Sequence, residues 1–290
     1  MWLVNPVRMA IERYLRSGGY EHDHPEWPGQ NFLERARNGH DDLLRALVAE
    51  VKNRSQGRAH AVVPQMDRTA WTRRKLTPMV HGFFPELERD AVLRLFEKSV
   101  VFLASDNIEA ILLSQSWLHT AWNLANLYLS SVDADLLGES APALLGLSEE
   151  TTCYVSTEYF VDRGRIEDFV LHEAAHVFHN CKRRTAGLTE TKRKEWLLEL
   201  EFRKRETFAY SCEAYGWIVE HAGSKADRLA MARQFAVNGF GECDETMDPK
   251  EVADIVQAAC EARNGWKVVS GRCSPAKRNA RRETGGVPGM

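Results

Sequence analysis

Two histidines four residues apart in a strongly apolar frame constrain this chain more than any other feature. Residues 169–181 read Phe-Val-Leu-His-Glu-Ala-Ala-His-Val-Phe-His-Asn-Cys, which places His172, Glu173 and His176 in the pattern H-E-x-x-H. At about 100° per residue, Val170, Ala174, Val177, Phe178 and Cys181 fall in one arc of a helix. His172, His176 and His179 fall in a narrower arc roughly opposite. The segment is therefore expected as a helix with one face in a core and the other on a cleft. A spacing of four puts two imidazoles one turn apart, where two nitrogens can reach one ion at about 2.0–2.1 Å. Glu173 lies one step around the helix, within reach of a water on that ion without being a ligand itself. His179 continues the histidine face one turn further on and is expected beside the site or towards solvent, not on the metal.

A hydrolytic zinc site keeps three protein ligands and one open position, so a third ligand is needed. Six residues past His176, where another histidine would complete an all-histidine set, the chain has Lys182. The search passes to residues 203–220, Arg-Lys-Arg-Glu-Thr-Phe-Ala-Tyr-Ser-Cys-Glu-Ala-Tyr-Gly-Trp-Ile-Val-Glu. Glu206 and Glu213 are two helical turns apart and share a face with Tyr210 and Trp217, while Phe208, Cys212, Tyr215 and Val219 form the opposite, apolar face. Both glutamates remain candidates on spacing alone, and pairing with Arg203 or Arg205 is the competing use for them.

The rest of the chain is ordinary by comparison. With 44% apolar residues in 290 and a net charge of −3 from 38 basic and 41 acidic side chains, nothing global calls for nucleic acid or an anionic membrane as partner. The longest apolar run, Val100 to Ala104, is far short of the roughly 20 residues that cross a bilayer. Asn5, Pro6, Arg8 and Glu12 interrupt any signal-like stretch. Six scattered cysteines without a Cys-x-x-Cys pair fit reduced thiols in a cytoplasm. The trio His22, Asp23 and His24, in a Gly/Pro-rich loop, and the basic turn Asp67 to Lys75 around Trp71 are read as solvated surface.

Three parts are expected: a helical N-terminal region over 1–95, made of short helices and serving as a recognition or covering module; a catalytic domain over 96–266; and a disordered basic tail over 267–290. Within the second, residues 99–104 read as a strand, 107–131 as one long helix with Trp117, His119 and Trp122 as packing groups, and 151–160 as a second strand. Asp162 is the expected N-cap of the histidine helix, and Asp248 starts a helix through about Arg263, with Gly265 just past its end. The fold class is α+β, predominantly helical, with a small sheet.

With these residues in hand, the chain resembles the gluzincin group of zinc metallopeptidases, in which H-E-x-x-H on one helix is completed by a glutamate on a later helix. In several branches that glutamate opens an E-x-x-A pattern, and Glu206-Thr-Phe-Ala209 is similar to it. The resemblance covers about residues 150–220. It implies a zincin-like fold with Zn²⁺ held by His172, His176 and Glu206, with Glu213 as alternative ligand or as a partner to a ligand. It also implies an edge strand above the zinc, a place that residues 152–160 occupy in chain order. Where thermolysin-like members have an acidic residue four after the ligand glutamate, holding a zinc histidine, this chain has Tyr210, so Glu213 or a backbone carbonyl must supply that contact. The implied activity is endopeptidase hydrolysis of a protein or peptide, Glu173 acting as general base towards a zinc-bound water, with Tyr210, Tyr215 and His221 as the oxyanion donors within reach in sequence. The chain is also similar to the cytosolic repressor-cleaving peptidases of mobile elements, which brings in the alternative of a zinc-binding regulatory or sensor protein acting on one dedicated partner.

Overall fold

Short polar side chains start most of the helices. Asn31, Asp67, Asp168, Ser224, Asp248 and Asn264 each accept a hydrogen bond from a backbone N–H in the first turn of the helix they precede. A computed structural model describes residues 5–21, 27–58, 63–139, 141–142, 144–161, 166–192, 194–239 and 247–275. In chain order these form α1 (Pro6–Ser17), α2 (Phe32–Ser55), α3 (Arg68–Phe83), α4 (Glu86–Phe96), β1 (Val100–Leu103), α5 (Ile108–Leu113) and α6 (Leu118–Ser131). There follow β2 (Gly146–Glu149), β3 (Thr152–Ser156), α7 (Phe169–Asn180), α8 (Arg205–His221), α9 (Lys225–Asn238), α10 (Pro249–Glu261) and α11 (Gly265–Cys273). The architecture is α+β and mostly helical, as expected. No described helix is long and apolar enough to cross a membrane.

The sheet has the order β1-β3-β2, with β1 parallel to β3 (Val100 opposite Cys153) and β2 antiparallel to it (Gly146 opposite Val155). Alternation splits its faces. Val100, Phe102, Cys153 and Val155 enter one apolar cluster with α3, α4, α7, α8, α10 and α11. Leu103, Leu147 and Tyr154 enter another, with α1, α2, α5 and α6. Both faces of β1 are covered, which is why residues 99–104 read as a continuous apolar run instead of an alternating one. The clusters interleave along the chain: α3 and α4 share a core with α7 and α8, whereas α5 and α6 pack with α1 and α2.

Several local expectations are corrected. The strand at 151–160 is the central strand, ends at Ser156 and passes into a 3-10 helix over Thr157–Phe160. The edges are β1 and β2, the latter a stretch with no strand pattern of its own. The helix expected over 107–131 breaks after Leu113, where the side chains of Ser114 and Gln115 both donate to the Ile111 carbonyl and compete with the helical ladder. Of its three expected packing groups only Trp122 is buried; Trp117 is 62% exposed and His119 is exposed. In the N-terminal region α2 runs for 24 residues and is not short. The tail does not begin at Lys267: Asn264 caps α11, whose Trp266, Val269 and Cys273 form a buried stripe at helical spacing. Residues 276–290, with Asp162 and the His22, Asp23 and His24 trio, lie outside the described residues. The basic turn at 67–75 is used inside the molecule. Trp71 packs against Phe102 and Tyr159, Arg73 pairs with Asp90 and Glu97, and Lys75 is buried in an ion pair.

Candidate metal centre

α7 and α8 lie close because a glycine faces the contact: a Cβ at Gly216 would stand 2.2 Å from Leu171 Cδ1. That approach brings the H-E-x-x-H residues of α7 against the first turn of α8. His172 Nε2 and His176 Nε2 are 3.2 Å apart, and Glu206 Oε2 is 3.8 Å from the first and 3.6 Å from the second. Among the described residues, these three are the group of metal-binding side chains whose ligand atoms converge closely enough to hold an ion. Donor atoms around a tetrahedral ion at about 2.0–2.1 Å stand about 3.3 Å from one another. The observed spacings match that figure to within half an ångström, so the residues fit a small divalent cation.

Both histidines are held by their far nitrogens. His172 Nδ1 lies 2.9 Å from Glu213 Oε2 and donates to that buried carboxylate. His176 Nδ1 lies 3.1 Å from His179 Nε2, and His179 Nδ1 lies 3.0 Å from Asn180 Oδ1. If each Nδ1 carries the proton, both Nε2 lone pairs point to the shared position beside Glu206, the arrangement seen at metal-ligating histidines. His179 is therefore a buried partner of His176 and does not face solvent. Glu213 is drawn away from the converging atoms by two bonds, to His172 and, through Oε1 at 2.8 Å, to the Asp168 N–H.

Titration follows from burial and neighbours. Burial, helped by His172, His179 and Arg205, holds His176 down at about 2, and burial with Arg205 takes His179 to about 4. Burial also works to lower His172, but the Glu213 hydrogen bond and the charges of Glu213, Glu173 and Glu206 overcome it and lift it to about 9. A cation bound at Nε2 must displace that proton, which makes metal affinity pH-dependent.

Glu173, next to His172, is buried where α7 packs against β2. A Cβ at Gly146 would lie 2.6 Å from its Oε1, so the glycine makes room for the carboxylate. Burial raises Glu173 to about 7, against the pull of His172 and of a hydrogen bond with Ser148. Tyr210 packs edge-on against the His172 ring at 4.6 Å between centroids. Tyr215 is a core residue on Trp266, and His221 stacks on Trp217; neither lines the cavity that His176 and Glu206 open onto.

The start of α7 is anchored by a buried ion pair that the sequence does not announce. Asp168 caps the helix, with Oδ1 accepting from the Leu171 N–H at 3.1 Å, and its Oδ2 is 2.6 Å from Lys75 Nζ, which also pairs with Glu220. Lys75 comes from α3 and is 9% exposed. Its place in a run of basic residues hid it; the signal available was the apolar Trp71, Leu76 and Met79 on the same helix, which turn Lys75 inward. Comparison with protein-family models, with characterised proteins and with solved structures gives no match.

Proposed function

We propose that this chain is a zinc-dependent endopeptidase of the gluzincin type, with His172, His176 and Glu206 holding the metal and Glu173 as the catalytic acid–base. The observation that carries the reading is the convergence of two Nε2 atoms and one carboxylate oxygen at 3.2–3.8 Å, with each histidine oriented from behind by its own partner. Zinc, when bound, supplies a Lewis acid that makes water nucleophilic near neutral pH and polarises the scissile carbonyl. The chain's own residues do the rest. Glu173, raised to about 7, can accept the proton of the attacking water and return it to the leaving amine nitrogen. Glu213 and His179 fix the ligand rings, and β2 supports Glu173.

A zincin-like arrangement also gives the substrate a place. β2 is the edge of the sheet next to Glu173, and an extended peptide adding to such an edge receives backbone hydrogen bonds along its length. This assigns to β2 the part expected of residues 152–160.

Purified protein should contain about one zinc per chain and cleave denatured casein, or a dedicated band in a cell lysate, in a chelator-sensitive way. Glu173→Gln should keep the zinc and lose activity by on the order of 10²–10⁴-fold. Full activity in that variant, or loss of its zinc, would contradict the assignment. Bound zinc with no cleavage of any protein would favour the regulatory alternative.

A further inference from the structure

A cavity of about 610 Å³ opens beside the three converging atoms, its lining including His176, His179, Glu206, Phe202, Arg203 and Arg205. The basic run Arg203-Lys204-Arg205 is sorted by the fold. Lys204 turns away to Glu251, at 2.8 Å, and to the Arg272 carbonyl. The two arginines flank it and line the cavity.

Among the described residues, neither arginine is paired with a carboxylate, although the Arg205 charge is felt at His176 and His179. Arg73, Arg94 and Arg183, by contrast, each pair with one. Glu206 beside them is turned to the histidines. Arg205 Nε is buried and makes no hydrogen bond among the described residues, a state that native structures rarely leave without a ligand or water to satisfy it. Its guanidinium lies 4.9 Å from the centroid of Phe202, a side chain 77% exposed, so the aromatic ring is a shelf that fixes the guanidinium plane.

We propose that Arg203 and Arg205 select the substrate by receiving a carboxylate of the bound peptide in this cavity. The inference rests on the endopeptidase reading and deepens it. A planar guanidinium matches a carboxylate with two parallel N–H···O bonds, and a cavity partly shielded from water strengthens the pair. The carboxylate can come from an Asp or Glu side chain or from the peptide C-terminus.

The test reads binding without cleavage. A randomised peptide library, made in a free and in a C-terminally amidated form, is equilibrated with immobilised, zinc-loaded Glu173→Gln protein, and the retained peptides are sequenced by mass spectrometry. Carboxylate-bearing peptides should be enriched about tenfold over input, the ratio that one charge-assisted hydrogen bond supplies. Enrichment of Asp and Glu within the amidated form assigns the side chain; enrichment confined to the free form assigns the terminus; each supports the proposal. Adding Arg203→Ala and Arg205→Ala to the same background should erase the enrichment while zinc content and circular dichroism stay unchanged, and Arg→Lys at both positions, which keeps the charge but loses the paired N–H···O geometry, should leave only a small part of it. Retained peptides with no excess of carboxylate, or an excess that survives the double alanine change, would overturn it. A protein that holds zinc and cleaves nothing would still give the enrichment, so failure of the hydrolytic reading is separately visible.

Discussion

At the scale of single residues, the candidate centre depends on groups that do not touch the metal position. Glu213 spans His172 Nδ1 and the Asp168 N–H, joining His172 to the cap of its own helix. Glu213→Gln retains the shape and one acceptor but removes the charge that makes the imidazole a better ligand, so zinc affinity should fall about 10–100-fold, read by competition with a chromophoric chelator. Unchanged affinity would remove Glu213 from the site. His172, Glu173 and His176 were legible because metal chemistry demands fixed spacings on a helix, whereas Glu206 was set apart from Glu213 only by its resemblance to the E-x-x-A pattern. Glu213 was legible only as one of two glutamates sharing a face, since its choice between ligand and partner is made by where α7 lies relative to α8. The contact between His179 and His176 was not legible, because three-residue spacing puts two side chains near each other without saying which way a ring turns.

At the scale of elements, α7 is anchored at its start by a buried ion pair. Lys75→Met leaves the Asp168 carboxylate buried without its ammonium and should destabilise the fold by about 3–5 kcal/mol in urea denaturation, part of which Asp168→Asn in the same chain should restore. The pair also has a pH signature. Burial outweighs Lys75 and raises Asp168 to about 6, above its unfolded value near 3.9. The folded state therefore holds that proton more tightly. The stability this gives is complete below about pH 4 and is lost as pH rises through about 6. Relative to Asp168→Asn, the unaltered protein should lose on the order of 3 kcal/mol across that interval. Parallel stability curves for the two proteins between pH 4 and 6.5 would show that Asp168 does not titrate there. Elements were least legible where their identity comes from a neighbour. Gly-Leu-Ser-Glu becomes β2 only by pairing with β3, and α11 was masked by the Lys, Gly and Arg that separate Trp266, Val269 and Cys273.

For the whole molecule, the sheet is the divider. One helical layer carries α7, α8 and their supports, the other closes the opposite face, and residues from the first hundred positions contribute to both. Lys75 of α3 stands behind the candidate centre for this reason, although nothing in a linear reading joins it to α7. The mostly helical fold with a small sheet followed from periodicity, but the interleaving did not, because apolar faces in sequence do not name their partners. The proposed function turns on one position between α7 and α8. The most direct measurement is an anomalous difference map collected at the zinc edge from crystals of protein purified without chelator. A single peak is expected, bonded to His172 Nε2, His176 Nε2 and a Glu206 oxygen at about 2.0–2.2 Å. No peak there, or a peak held by Glu213 in place of Glu206, would contradict that assignment.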